Sequence, residues 1–259
     1  MPRGIVVSHC PGMDVNHRAW ESAGEKYVRE YDEISAVAIG GTSLLPLERE
    51  LLRDILAAGP EVIHWQSGNA TDDVALVHAG ARSVIGLDFS ETAVRVAGQR
   101  ARELGLPCRY VRAALPGAPL DDASADLVYT GKGGIIWMPD LGEWARDIAR
   151  LLRPGGHLFV YDEHPAAPLW SWDADEPRIR PDRDYFAPHH VNDSFPAGGA
   201  VQSQHTLGRI VTAVSAAGFR IVDLSEYPEP FWRMGGVEAA AWSGRLPNAF
   251  SLLARLEAR

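Results

Sequence analysis

From residue 61 onward, short apolar runs alternate with longer amphipathic stretches. EVIHW (61–65), SVIGLDF (83–89), PCRYVRAAL (107–115), ADLVYT (125–130) and HLFVYDE (157–163) are short enough, and apolar enough, to be buried strands. Between them, VALVHAG (74–80), SETAVRVAGQRARELG (90–105) and GEWARDIARLLR (142–153) carry apolar residues at helical spacing. Ser90 is placed to cap the second helix and Gly105 to close it. The alternation predicts an α/β fold, a parallel sheet with helices on both faces.

The flanks follow other patterns. Residues 16–32 read as a helix, the turn-rich IGGTSLLPLE follows, and 47–58 read as a helix ended by Gly59-Pro60. We therefore expect an N-terminal helical cap over 1–45 and a main domain over 46–259. Residues 164–205 break the alternation with prolines, glycines, four histidines, Trp170, Trp172, Tyr185 and Phe186. A segment this long inside a compact domain is expected to be an inserted lid. A helix over 206–219 and strands over 220–227 and 249–257 complete the chain, the last two as an antiparallel finish.

Composition narrows the partners. The 259 residues carry a net charge of −9 with no Lys/Arg block, so a phosphate backbone would be repelled and no nucleic acid partner is expected. No apolar stretch approaches the ~18 residues of a membrane span, and the N-terminus lacks the order of a secretory signal, so a cytoplasmic protein without a membrane partner is expected. Cys10 and Cys108 form neither a disulfide framework nor a metal spacing. His189, His190 and Asp193 match no standard metal site, and no metal is expected. Oligomeric state is left open.

The candidate chemistry lies at strand ends, where open α/β sheets bind ligands. After the first strand, Gly68 offers a turn without bulk; after the second, Asp88 offers two hydrogen-bond-accepting oxygens. The same pair would serve a dinucleotide, so alone it does not choose a cofactor. At the end of the fourth strand, Thr130 and Gly131 precede Gly133 and Gly134, which leave room for reacting groups. His164 is the first residue past the fifth strand, and Pro165 holds its backbone extended. It is the first candidate for a general base in an acceptor pocket, with His205 second. Trp137 and Trp144 read as core, and Lys132 as solvated.

The ordered set His64-Trp65-Gln66-Ser67, Gly86-Leu87-Asp88-Phe89-Ser90, Trp137-Met138-Pro139-Asp140-Leu141, Leu151 to Gly156 and Glu163-His164-Pro165 resembles bacterial small-molecule members of the class I, Rossmann-like methyltransferases. The resemblance runs from about residue 16 to the C-terminus. It implies a seven-strand, mostly parallel sheet with an antiparallel last strand. It also implies S-adenosylmethionine as cofactor and a small-molecule acceptor methylated on O, N or C. By the same resemblance His64, Gln66, Gly68, Asp88, Phe89, Ala114, Leu115, Thr130 and Gly131 would surround the cofactor, with Phe89 against adenine. Ala70 and Ala114 depart from the commoner pattern, a glycine and an acid respectively. A degenerate cofactor-binding protein without turnover and a nicotinamide-dependent oxidoreductase are the rival readings.

Overall fold

The alternation of side chains along the strands builds two cores. Ile63, Val128, Leu158 and Val160 face one side, and Val62, Leu127, Tyr129 and Phe159 face the other. A strand buried on both faces needs helices on both, and the chain supplies them. In the computed structural model, which describes residues 11–41, 43–170, 178–193, 195–196, 199–232 and 235–258, the elements run in this order. Helices α1 (Pro11–Arg29), α2 (Tyr31–Ile39) and α3 (Pro46–Ala57) precede β1 (Glu61–Trp65), α4 (Thr71–His78), β2 (Ser83–Asp88), α5 (Glu91–Glu103) and β3 (Cys108–Arg112). Then come β4 (Ala125–Gly131), α6 (Leu141–Leu151), β5 (Leu152–Glu163), β6 (His189–Val191) and β7 (Val201–Ser203). Helix α7 (Leu207–Ala216), β8 (Phe219–Tyr227) and β9 (Ala249–Leu256) end the chain. Cys10 and Trp172 lie outside the described residues.

The main sheet has seven strands in the order β3-β2-β1-β4-β5-β9-β8. The first five pair in parallel, and β9 is antiparallel to both β5 and β8. The order reverses at β1, between β2 and β4, and this switch point opens a crevice at the carboxyl ends of those strands. Helices α6 and α7 supply Trp144, Ile148, Ile210 and Val214 to one core. Helices α3 and α4 supply Leu52, Leu56, Ala75 and Leu76 to the other. Among the described residues no helix is long and apolar enough to cross a membrane.

Three expectations change in detail. The helix expected over 16–32 is two helices, α1 and α2, separated at Glu30, whose backbone leaves the helical region. The fifth strand begins before residue 157: Ala125 pairs with Leu152, the register slips, and Leu127 pairs with His157. Arg153-Pro154-Gly155-Gly156 bulges out between these pairings. Gly155 takes φ +83°, and a Cβ on Gly156 would meet the Arg153 carbonyl oxygen at 2.9 Å. The 164–205 segment holds the small antiparallel hairpin β6–β7, His190 facing Gln202 across it.

Helix α1 is tied to the main body at two places. The Glu21 carboxylate accepts the backbone N–H groups of Glu91 (3.1 Å) and Thr92 (3.0 Å), opening α5. The Asn16 side chain donates to Val201 O (2.9 Å) and accepts from Val201 N (2.7 Å), joining α1 to β7. A Cβ on Gly24 would lie 3.2 Å from Thr92 Cγ2, which shows how closely α1 approaches α5.

Candidate active site

The turn after β1 is built from strained backbone. Gln66, Gly68 and Ala70 take φ values of +59°, +52° and +64°. Only one of the three is glycine, so the turn holds two left-handed non-glycine residues, each costing roughly 1 kcal/mol or more. A Cβ at Gly68 would meet nothing within 4 Å, so this glycine leaves open space. Gly131 differs: a Cβ there would sit 2.1 Å from Tyr161 O, so β4 and β5 approach too closely for any side chain.

Asp88 ends β2 and is 8% exposed. Its Oδ2 accepts from Gly68 N (2.9 Å) and its Oδ1 from Ser90 N (2.8 Å). Each oxygen keeps a further lone pair for an outside donor. Burial pushes its pKa up, and the Ser90 and Gly68 amides act against that shift. Asp162, at the end of β5, organises the loop after β4 in the same way. It accepts from Gly133 N (2.6 Å), Ile135 N (2.9 Å) and Glu163 N (2.7 Å). Burial raises it to about 6, against the pull of those amides.

Beneath the loop lies a buried charged set that sequence reasoning does not find. Lys132 Nζ lies 2.8 Å from Asp72 Oδ1 and 3.1 Å from Glu48 Oε2. Tyr129 OH donates to Glu48 Oε1 (2.5 Å). Lys132 is therefore not a solvated side chain: burial works against its charge, and Asp72 and Glu48 more than offset it, raising its pKa. The available signal is Glu48, the buried acid on the apolar side of α3. His64 beside this set bonds Asp73 through Nδ1. Burial disfavours the imidazolium, but the Asp73 carboxylate outweighs it and His64 titrates above its ordinary value.

Two cavities meet over these groups. One, of about 350 Å³, is lined by His64, Gln66, Gly68, Asp88, Phe89 and Gly131 below, and by Trp20, Tyr27 and Phe231 above. The other, of about 450 Å³, is lined by Gln66, Phe89, Ala114 and Leu115, by Met138 and Pro139, and by Asp14, Asn16 and His17 of α1. They share Gln66, Phe89 and Trp137. Thr130 is buried just beneath: a Cβ on Gly134 would lie 3.1 Å from its Oγ1. The nine residues expected around a cofactor thus gather at one crevice. Trp137, expected in the core, instead lines both cavities and meets Trp20 edge-on at 5.5 Å. Trp144 is in the core as expected.

His164 and His205 are placed elsewhere. Neither lines these two cavities; both line a void of about 10 Å³ beyond the β5 end. His164 is 5% exposed, its Nδ1 accepts from Ala166 N (3.1 Å) and its Nε2 lies 2.8 Å from Glu226 Oε1. His205 Nε2 donates to Met138 O (2.6 Å). The two histidines expected as bases in an acceptor pocket therefore lie away from the two cavities described above. The backbone turn at Pro165 directs His164 toward β8, and His205 ties the start of α7 to the loop after β4. In the inserted segment Asp193 pairs with Arg180 and Arg183, and His190 with Gln202. Among the described residues no His, Cys, Asp and Glu groups are arranged to hold a metal.

Comparisons with known proteins agree with this frame. Residues 62–156 match the family described as methyltransferase domain. The chain is 31% identical over 140 residues to the nocamycin O-methyltransferase of Saccharothrix syringae, covering 53% of this chain and 50% of that one. It is 28% identical over 182 residues to the 27-O-demethylrifamycin SV methyltransferase of Amycolatopsis mediterranei, covering 68% and 61%. The matched part spans half to three-fifths of these relatives' own length. An S-adenosylmethionine-dependent methyltransferase of Mesorhizobium loti, solved by crystallography, superposes with a TM-score of 0.66 at 25% identity, covering 80% of this chain and 97% of that one. This sheet order thus accompanies a methyltransferase-domain match over residues 62–156 and a fold shared with an S-adenosylmethionine-dependent methyltransferase of known structure.

Proposed function

We infer that this chain transfers the methyl group of S-adenosylmethionine to a nucleophilic atom, foremost an oxygen, of a small-molecule acceptor. The observation that carries this is Asp88, held by two amides at the edge of a double cavity on the carboxyl ends of β1, β2 and β4. The residues fit the cofactor. Gln66 Oε1 and Thr130 Oγ1 are buried without a hydrogen-bond partner among the described residues, and both face the glycine loop after β4. Asp88 would take the ribose hydroxyls, Phe89, Ala114 and Leu115 the adenine, and Gly68 and Gly131 the methionine part. His64, paired to Asp73, supports the turn from below. Bound there, the cofactor supplies a methyl group made electrophilic by its positively charged sulfur.

The chain's own residues supply alignment. Trp20, Trp137 and Phe231 wall the cavity above Gly131, Gly133 and Gly134, where they exclude water and hold a partly apolar acceptor. One relative is an O-methyltransferase by name and the other is named for a 27-O-demethyl compound; both names favour an oxygen acceptor. The net charge of −9 favours a small molecule over nucleic acid.

Calorimetry with S-adenosylhomocysteine tests the site. Asp88→Ala is expected to weaken binding by about 1–3 kcal/mol, the scale for charge-assisted hydrogen bonds. Undetectable binding to the parent protein would refute the cofactor assignment. Transfer of labelled methyl to hydroxylated small molecules tests turnover; transfer to RNA or DNA instead would refute the acceptor class.

A further inference from the structure

The larger cavity has one wall rich in polar side chains, and α1 provides it. On the sheet side Ala113, Ala114, Leu115 and Phe89 present carbon, and Trp137, Met138 and Pro139 close the far side. A purine edge carries ring-nitrogen acceptors and an exocyclic amino donor, and leaving such groups unpaired in a dry site is costly. The polar side chains reaching this cavity can be taken one at a time. Arg112 donates to Phe89 O (3.2 Å) and to Glu91 (3.2 Å). Asn16 is committed at both ends to Val201. Asp14 is also engaged. Gln66 turns its Oε1 toward Gly134, where a Cβ would lie 3.0 Å away. On the α1 wall that leaves His17, whose Nε2, like Gln66 Oε1 across the cavity, is buried with no hydrogen-bond partner among the described residues. Its ring lies 5.5 Å from that of Phe89, tilted by 46°.

We propose that His17 is a cofactor-recognition residue, the side chain on α1 that reads the adenine edge while Phe89 covers a ring face. The proposal rests on the cofactor placement inferred above. The backbone of His17 is held on both sides, since Asn16 next to it is fixed to β7 and Glu21 one turn on is fixed to α5. Nucleotide specificity in this chain thus comes from the N-terminal helix rather than from the loop after β3, where Ala114 offers only a methyl group.

The experiment is calorimetry with two probes, S-adenosylhomocysteine and S-inosylhomocysteine, which differ at the purine 6-position. The parent protein is expected to prefer the adenosyl compound. His17→Phe is expected to lose about tenfold in affinity for S-adenosylhomocysteine, the scale of one buried hydrogen bond, and most of the preference. His17→Gln, which keeps a donor and an acceptor, is expected to stay within about threefold of the parent. The ratio of two affinities on one preparation does not depend on the fraction folded. Should the phenylalanine variant not fold, His17→Ala is expected to lose the same preference. A parent that binds S-adenosylhomocysteine, with a Phe or Ala variant that binds it equally and keeps the preference, would overturn the role of His17 alone. A parent that does not bind it would overturn the cofactor placement, and this proposal with it.

Discussion

The floor and the roof of the double cavity are built by different means. The floor is the carboxyl edge of β1, β2 and β4, and buried carboxylates hold its backbone: Asp88 on Gly68 and Ser90, Asp162 on Gly133, Ile135 and Glu163. The roof is α1 with the inserted segment. It is joined by aromatic edges, Trp20 on Trp137 and on Phe195, and by the Asn16–Val201 pair across 185 residues of chain. The floor's bonds span no more than 29 residues of chain and are accepted by carboxylates, the stronger kind of acceptor. The roof's contacts are long-range and end in short elements. A cavity of this design keeps its floor rigid and leaves its roof free to loosen locally.

The comparison is broken most severely from below. Lys132→Met would strip the cation from Glu48 and Asp72, leaving two buried acids without their partner. A loss of about 3–4 kcal/mol in urea unfolding is expected. A loss under about 1 kcal/mol would mean that the set is not the floor's support. Gly131→Ala is next, at about 3 kcal/mol, because the new methyl group meets the Tyr161 carbonyl and β4 must part from β5. Thermal unfolding would register it; a variant as stable as the parent would contradict the close approach.

A pH series sharpens the contrast at the edge of the floor. Burial, with the neighbouring Asp162 charge, raises Glu163 from its ordinary 4.5 to about 8. The folded chain therefore keeps this proton after the unfolded chain has released it. Folding takes up a proton across that interval, so stability from this group falls as pH rises from about 4.5 to 8. The slope is expected to approach about 1 kcal/mol per pH unit between roughly pH 6 and 8 and to flatten in Glu163→Gln. Parallel profiles for the two proteins would remove Glu163 as the cause.

The smallest effect is expected in the roof. Asn16→Ala removes both bonds to Val201, at a cost of about 1 kcal/mol. Amide exchange should quicken in α1 and in β6 and β7 and stay unchanged in β1 and β4. Equal quickening in the sheet would show floor and roof to be one cooperative unit.

Much of the floor is legible in the chain because its determinants are local. Gly68, Asp88, Gly131 and the apolar runs that end at them follow from strand length, turn chemistry and the rule that ligands meet the carboxyl ends of strands. Lys132 escapes such a reading because a lysine between glycines looks solvated until α3 and α4 bring Glu48 and Asp72 beneath it. Trp137 looks like core because its sequence neighbours are apolar, and only the approach of Trp20 makes it a cavity wall. The position of His164 along the strand is legible and its direction in space is not, since a residue just past a strand end can turn to either side.

The sequence by itself determined the order of strands and helices, the two-faced burial of the sheet, the crevice and the acid at its edge. These depend on periodicity and on the backbone preferences of glycine, proline and capping residues, which act over a few positions. The tertiary structure alone decided which polar side chains reach the cavity: His17 from α1 does, and His164 and His205 do not. The reason is that side-chain direction at a long-range contact is set by the packing of both partners, and no local pattern records the second one.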